Sequence, residues 1–224
     1  MILNDTISQR LRHLAVAALA AAAAAEASNA DFVEFSTEYS GNIGGINVFQ
    51  VFAVFDESDD VLLNIFNHQT VSGSQAGVVH NDFAGGSWNP SFTFLPDQGA
   101  NDSFVTMTGS FGANSSTALD PSFGSGAGSV IPHNAGWYTS NPGTPITAGA
   151  AGTWKGANLA VRVMQVGLTA GSTGWTANLT MGYKDAPSST TPMWGYGYYE
   201  IIPAPGALAV LSLGGLACRR RRAR

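Results

Sequence analysis

The chain has 224 residues, of which 45% are hydrophobic and only 11% charged, with a formal net charge of −5. Residues 31–202 hold 13 carboxylates against three basic side chains, Lys155, Arg162 and Lys184, so this stretch is near −10. That balance excludes the basic footprint needed to bind nucleic acid or an anionic lipid surface, and with Cys218 the single cysteine, it excludes an internal disulfide.

The front of the chain reads as a secretory signal helix over 1–30. Arg10 and Arg12 precede an Ala-dominated apolar run, Leu14 to Ala25, and the small-x-small sets Ala25-Glu26-Ala27 and Ser28-Asn29-Ala30 follow. The run is apolar all round rather than striped, which argues against an amphipathic helix of a folded domain.

Residues 31–202 form one domain of sufficient size for a sizeable core. Short apolar runs separated by Gly, Ser, Thr, Asn and Pro predict an all-β fold, a single β-sandwich of jelly-roll-like type. Phe32–Tyr39 opens it. After a glycine turn at Gly44-Gly45, Ile46 to Phe55 is apolar on both alternating faces, which predicts a strand inside a sheet. The acidic turn Asp56-Glu57-Ser58-Asp59-Asp60 is expected to return the chain as a hairpin into Val61–Phe66. Weaker strand signals lie at 75–80, 91–95 and 104–111, and residues 114–128 read as a small-residue loop. Order resumes at Val130-Ile131 and Trp137-Tyr138. In the strand 158–166, Leu159, Val161, Val163 and Gln165 are expected on one face, with a hairpin through Gly171-Ser172-Thr173-Gly174 into 175–183. The last strand, 194–202, is rich in aromatic residues.

Residues 203–224 have three parts in order: Pro203-Ala204-Pro205, an uncharged run from Gly206 to Cys218, and the arginines Arg219, Arg220, Arg221, Arg222 and Arg224. As a helix the 13-residue run would be roughly 20 Å long, short of a hydrocarbon core of about 30 Å. The arginines would hold the chain end on the cytoplasmic side. This arrangement resembles the PEP-CTERM sorting signal of exported bacterial proteins, with Ala204 where that family has Glu. The resemblance implies recognition by an exosortase-type membrane enzyme and cleavage near Pro203–Pro205. It also implies passage through the secretion translocon, transient inner-membrane contact, release to the cell surface or extracellular matrix, and an exopolysaccharide setting. A short C-terminal anchor that is kept is the alternative, and Cys218 beside Arg219 would then be open to acylation.

Chemical motifs are sparse. The chain has no Gly-x-Ser-x-Gly, His-Glu-x-x-His or Cys-x-x-Cys. His68 and His80 could meet across a strand pair, with Asp82 near and His133 apart; separated histidines are the commoner arrangement. Oxygen ligands for calcium are offered by Asp56, Asp59 and Asp60 in one loop and by Asp97 and Asp102 in another, against the default of solvated acidic turns. Trp88, Trp137, Trp154, Trp175 and Trp194 would serve as sugar-stacking platforms if exposed and as core plugs if buried. These features favour a non-enzymatic exported surface protein. A carbohydrate-binding module using exposed tryptophans is the second expectation, and a hydrolase drawing on Asp97, Asp102 or Asp120 is the third.

Overall fold

The computed structural model describes residues 32–80, 88–89, 99–107, 116–123, 130–141, 146–150 and 159–203. Among them, ten strands make two antiparallel five-stranded sheets packed together as a β-sandwich: β1 (Phe32–Ile43), β2 (Ile46–Phe55), β3 (Val61–Gly73), β4 (Val78–Val79), β5 (Phe104–Val105), β6 (Thr117–Leu119), β7 (Trp137–Thr139), β8 (Ala160–Thr169), β9 (Trp175–Lys184) and β10 (Met193–Ile201). The first sheet has the order β1-β2-β8-β4, with β5 also on β8; the second has the order β10-β9-β3-β7-β6.

β1 and β2 form a tight hairpin because Gly44 (φ +61°) and Gly45 (φ +89°) both adopt positive φ, as a two-residue turn that follows strand twist requires. β2 then lies between β1 and β8, as its two apolar faces predict. Its residues Phe49, Val51, Ala53 and Phe55 enter the main core, while Phe52 and Val54 pack with Ala160 on the opposite face.

Both hairpins expected from sequence, β2 with β3 and β8 with β9, are instead crossings between the sheets. With β1 and β8 on its two edges, β2 has no edge left for β3. The acidic loop contains no positive-φ residue and is latched from the side: Ala148 N–H donates to Asp60 O at 2.7 Å, and Gly149 N–H donates to Ser58 O at 2.8 Å. The chain does form a hairpin between β9 and β10, paired without a break from Trp175↔Ile201 to Tyr183↔Met193.

Bulges reassign several faces. A register shift opposite Val51/Phe52 leaves Val161 and Met164 both facing the core, so Gln165 lies on the other face from Val161, contrary to the uniform alternation expected. There Gln165 Nε2 donates to Gly99 O (2.7 Å) and Asp102 O (3.0 Å), tying residues 99–103 onto β8. In β3, Phe66 pairs with Thr180 and Gln69 with Asn178, leaving Asn67 and His68 in a bulge; Asn67 takes φ +58° and His68 turns inward.

Shorter discrepancies are local. The expected strand over 75–80 is reduced to Val78–Val79, and among the described part of 104–111 only Phe104–Val105 is strand. The expected loop 114–128 contains β6 and the 3-10 turn Pro121–Phe123. Val130 and Ile131 are not in a strand, and the expected strand 91–95 lies outside the described residues.

Candidate functional site

The most distinctive surface lies on β10. Its sequence, Met193-Trp194-Gly195-Tyr196-Gly197-Tyr198-Tyr199-Glu200-Ile201, alternates strictly between the faces of the sheet. Trp194, Tyr196 and Tyr198 project outward and are 63%, 65% and 62% exposed, whereas Tyr199 and Ile201 are buried. Alternate residues on a strand are roughly 7 Å apart, so the three side chains form a line about 13 Å long.

The inward glycines make this alternation possible. A Cβ on Gly195 would come within 2.7 Å of the Phe32 ring, and one on Gly197 within 3.1 Å of Phe35. Phe32 and Phe35, with ring centroids 4.8 Å apart, therefore pack directly on the β10 backbone. A third glycine supports Trp194 from beneath. Gly182 pairs with it across the sheet, and a Cβ there would lie 2.9 Å from the indole. The indole meets the Phe66 ring edge-on, at 5.7 Å and 88°.

The sheet register places polar side chains beside the rings. Tyr198 stands in a row with Asn178 and Gln69, Tyr196 with Thr180, and Trp194 with Asn64 and the half-exposed Tyr138. β10 and β1 are terminal strands of their sheets, and two hollows lie along the seam between them. One, of about 350 Å³, is lined by Phe32, Glu34, Tyr196 and Tyr198 among others. The other, of about 340 Å³, is lined by Thr37, Tyr39, Tyr198, Glu200 and Ile202 among others. Tyr198 borders both.

Beneath this face runs a buried polar relay. Trp175 Nε1–H donates to Tyr199 Oη (3.2 Å), Tyr199 Oη–H donates to His68 Nε2 (3.0 Å), and His68 Nδ1–H donates to Pro132 O (3.2 Å). A carbonyl can only accept, which fixes the proton on Nδ1 and leaves Nε2 as the acceptor. Burial pushes the His68 pKa down to about 4 and holds the Tyr199 phenol well above its ordinary range. The relay joins β3, β9, β10 and the loop before β7, and every polar group in it is paired.

The histidines are separated, the commoner of the two arrangements considered, and His68 and His80 do not meet across a strand pair. His68 belongs to the relay, His133 is exposed, and His80 follows β4 in the other sheet. His80 stacks on Trp88 (4.6 Å, 15°), its Nδ1 lies 3.0 Å from Ser103 O, and Asp102 Oδ1 is 3.9 Å away. Asp82 lies outside the described residues.

The two acidic loops are likewise divided. Asp56 and Asp59 are exposed, while Asp60 is buried, and burial together with Asp56, Glu57 and Asp59 pushes its pKa up to about 7. Asp102 is buried and accepts the Ser103 N–H at 2.8 Å. Asp120 accepts the Ser122 N–H at 2.9 Å, which caps the turn after β6. Asp97 lies outside the described residues, among which no group of three or more His, Cys, Asp or Glu is placed to hold a metal.

Of the tryptophans, Trp88, Trp137 and Trp175 are core residues, Trp194 is exposed, and Trp154 lies outside the described residues. The aromatic surface is thus one tryptophan and two tyrosines. The tyrosines were missed because the tryptophans were weighed singly; the signal was the period-2 run Trp194-Gly195-Tyr196-Gly197-Tyr198. Pro203 is the last described residue, so Ala204, Pro205, Arg219, Arg220, Arg221 and Arg222 of the expected sorting signal and the whole expected signal helix lie outside. Among the described residues no helix is long and apolar enough to cross a membrane. Comparison with protein-family models, curated proteins and solved structures finds no match to this chain.

Proposed function

We propose that the chain is an exported, non-enzymatic protein of the cell surface or extracellular matrix, delivered by its N-terminal signal and released by cleavage of its C-terminal one. The observation that carries this reading is where the described strands begin and end. β1 starts at Phe32, two residues after the small-x-small set ending at Ala30, and β10 ends at Ile201, two residues before Pro203. Loss of both flanks would leave every described strand in place. A Cβ on Gly174 would clash with the Ile201 carbonyl and come within 2.7 Å of Pro203 Cδ, so the first proline of the motif rests against the fold. An exosortase-type enzyme would then find its cleavage motif beginning two residues after the last described strand.

The strand orders β1-β2-β8-β4 and β10-β9-β3-β7-β6, with the chain crossing between sheets from β2 to β3, β3 to β4, β5 to β6, β7 to β8 and β8 to β9, support a jelly-roll-like reading of the sandwich. Binding is supported by the outward aromatic line on β10, and of the aspartates weighed for a hydrolase, Asp102 and Asp120 each accept a backbone N–H of a turn.

The test is the intact mass of the protein recovered from envelope and medium. A species starting near Ser28 or Asp31 and ending near Pro203–Pro205 is expected. Retention of 206–224 on the mature surface protein would overturn the processing reading.

A further inference from the structure

We infer that the outer face of the second sheet, centred on Trp194, Tyr196 and Tyr198, is a binding site for a neutral, extended polysaccharide chain. This deepens the surface-protein reading by naming a ligand class, and it rests on a different set of residues from the processing signals. Three rings in line at a repeat of roughly 7 Å form an extended track rather than a pocket, which suits a linear polymer more than a compact small molecule. Sugar rings present flat C–H faces that stack on aromatic rings and equatorial hydroxyls that need hydrogen-bond partners. The face supplies both, with Asn178, Gln69 and Thr180 in the rows beside Tyr198 and Tyr196.

Preorganisation points the same way. Trp194 is propped by Gly182 and Phe66, and the backbone beneath all three rings is fixed by Phe32 and Phe35, so little side-chain freedom is lost on binding.

Charge selects among the polymers. Glu34 and Glu200 line the adjoining hollows; of the described Lys and Arg side chains, Arg162 is on β8 of the other sheet, and Lys184, on the same face of β9 two residues past Gly182, lines neither hollow. Carboxylates beside the rings accept hydrogen bonds from the hydroxyls of an uncharged sugar and repel uronate, sulfate or phosphate groups. The same charges disfavour the other surface that aromatic stripes suit, an anionic membrane.

The test is affinity electrophoresis of the full chain in native gels containing hydroxyethylcellulose, laminarin or dextran, with alginate as the anionic polymer. Co-sedimentation with phosphatidylcholine and phosphatidylglycerol vesicles runs in parallel. Retardation is expected in at least one neutral gel and none in alginate, and it should persist at salt of about 0.5 M because no ion pairs are involved. Trp194→Ala, Tyr196→Ala and Tyr198→Ala should each weaken retardation by roughly tenfold in apparent Kd, and the triple substitution should abolish it. Tyr196→Phe with Tyr198→Phe should stay within a few-fold of the parent, since the stacking faces remain. All these side chains are more than 60% exposed, and an unchanged melting temperature verifies that the fold is intact. No retardation in any neutral gel, undiminished retardation by the triple variant, or ring-dependent binding to vesicles instead of polysaccharide would each overturn the inference. None of these results alters the mass test of processing, so the two readings fail separately.

Discussion

Tyr199→Phe isolates the relay beneath β10, because it removes one oxygen and leaves the ring that fills the core. Tyr199 is 1% exposed, and its hydroxyl both accepts from Trp175 Nε1 (3.2 Å) and donates to His68 Nε2 (3.0 Å). Without it, two buried polar atoms lose their partners. Each unsatisfied group costs about 1–3 kcal/mol, and the absence of a cavity term puts the total loss at about 2–4 kcal/mol. For a domain of this size that corresponds to a melting temperature lower by roughly 5–15 °C. Tyr198→Phe is the internal control: it deletes the same atom one residue away on the exposed face and should change stability by less than about 0.5 kcal/mol. Urea titrations of both variants, followed by tryptophan fluorescence, measure the difference. Equal midpoints for Tyr199→Phe and Tyr198→Phe would refute the claim that the relay is a stabilising network.

Three further outcomes follow from the same geometry. His68 is held neutral in the fold, with its pKa lowered to about 4 from an ordinary 6.5. The unfolded chain therefore binds more protons between those values, and His68 should make stability rise with pH across that window by up to about 3 kcal/mol; imidazole NMR should show a neutral ring with its proton on Nδ1 at pH 6. Asp60 works in the opposite sense: its pKa is raised to about 7 from 3.8, so its contribution is fully present below 3.8 and is lost as pH rises through 7. Asp60→Asn, whose carbonyl can still accept the Glu57 N–H, should raise the melting temperature at pH 8 and change it little at pH 4. Gly195→Ala would force a methyl against the base of the Phe32 ring and should cost about 1–2 kcal/mol after the gain in strand propensity, a loss that Phe32→Ala in the same chain should partly relieve in a double-mutant cycle.

Much of the fold was legible in local sequence, and its failures have a common cause. The two-faced apolar run of β2 announced a strand between two others, and Gly44-Gly45 announced the turn that precedes it. The loops 56–60 and 170–174 were misread because a five-residue connection spans a hairpin and a crossing between packed sheets equally well. What decides is whether the neighbouring edges are already taken, and that depends on β8 arriving beside β2 from more than a hundred residues away. Bulges were also invisible. The face of Gln165 and the inward turn of His68 depend on one extra residue in a register, set by pairing with a distant partner rather than by composition. The aromatic surface was present in the alternation of 194–198, but separating platform from plug required burial, and three of the four described tryptophans proved to be plugs.

β10 carries two demands that usually conflict. As a terminal strand it is held by one ladder, to β9, and such a strand frays readily; as the bearer of three exposed rings it must stay fixed if those rings are to act together. Its inward side resolves the conflict, since Phe32 and Phe35 seat on Gly195 and Gly197 while Tyr199 is tied through His68 to Pro132. The relay should therefore govern local as well as global stability. In native-state hydrogen exchange, Tyr199→Phe should accelerate the amides of 194–200 at denaturant concentrations where those of β2 and β8, each flanked by strands on both edges, remain protected. A uniform loss of protection across all three strands would show instead that β10 opens only with the whole sandwich, and that its rigidity comes from the core at large rather than from the relay.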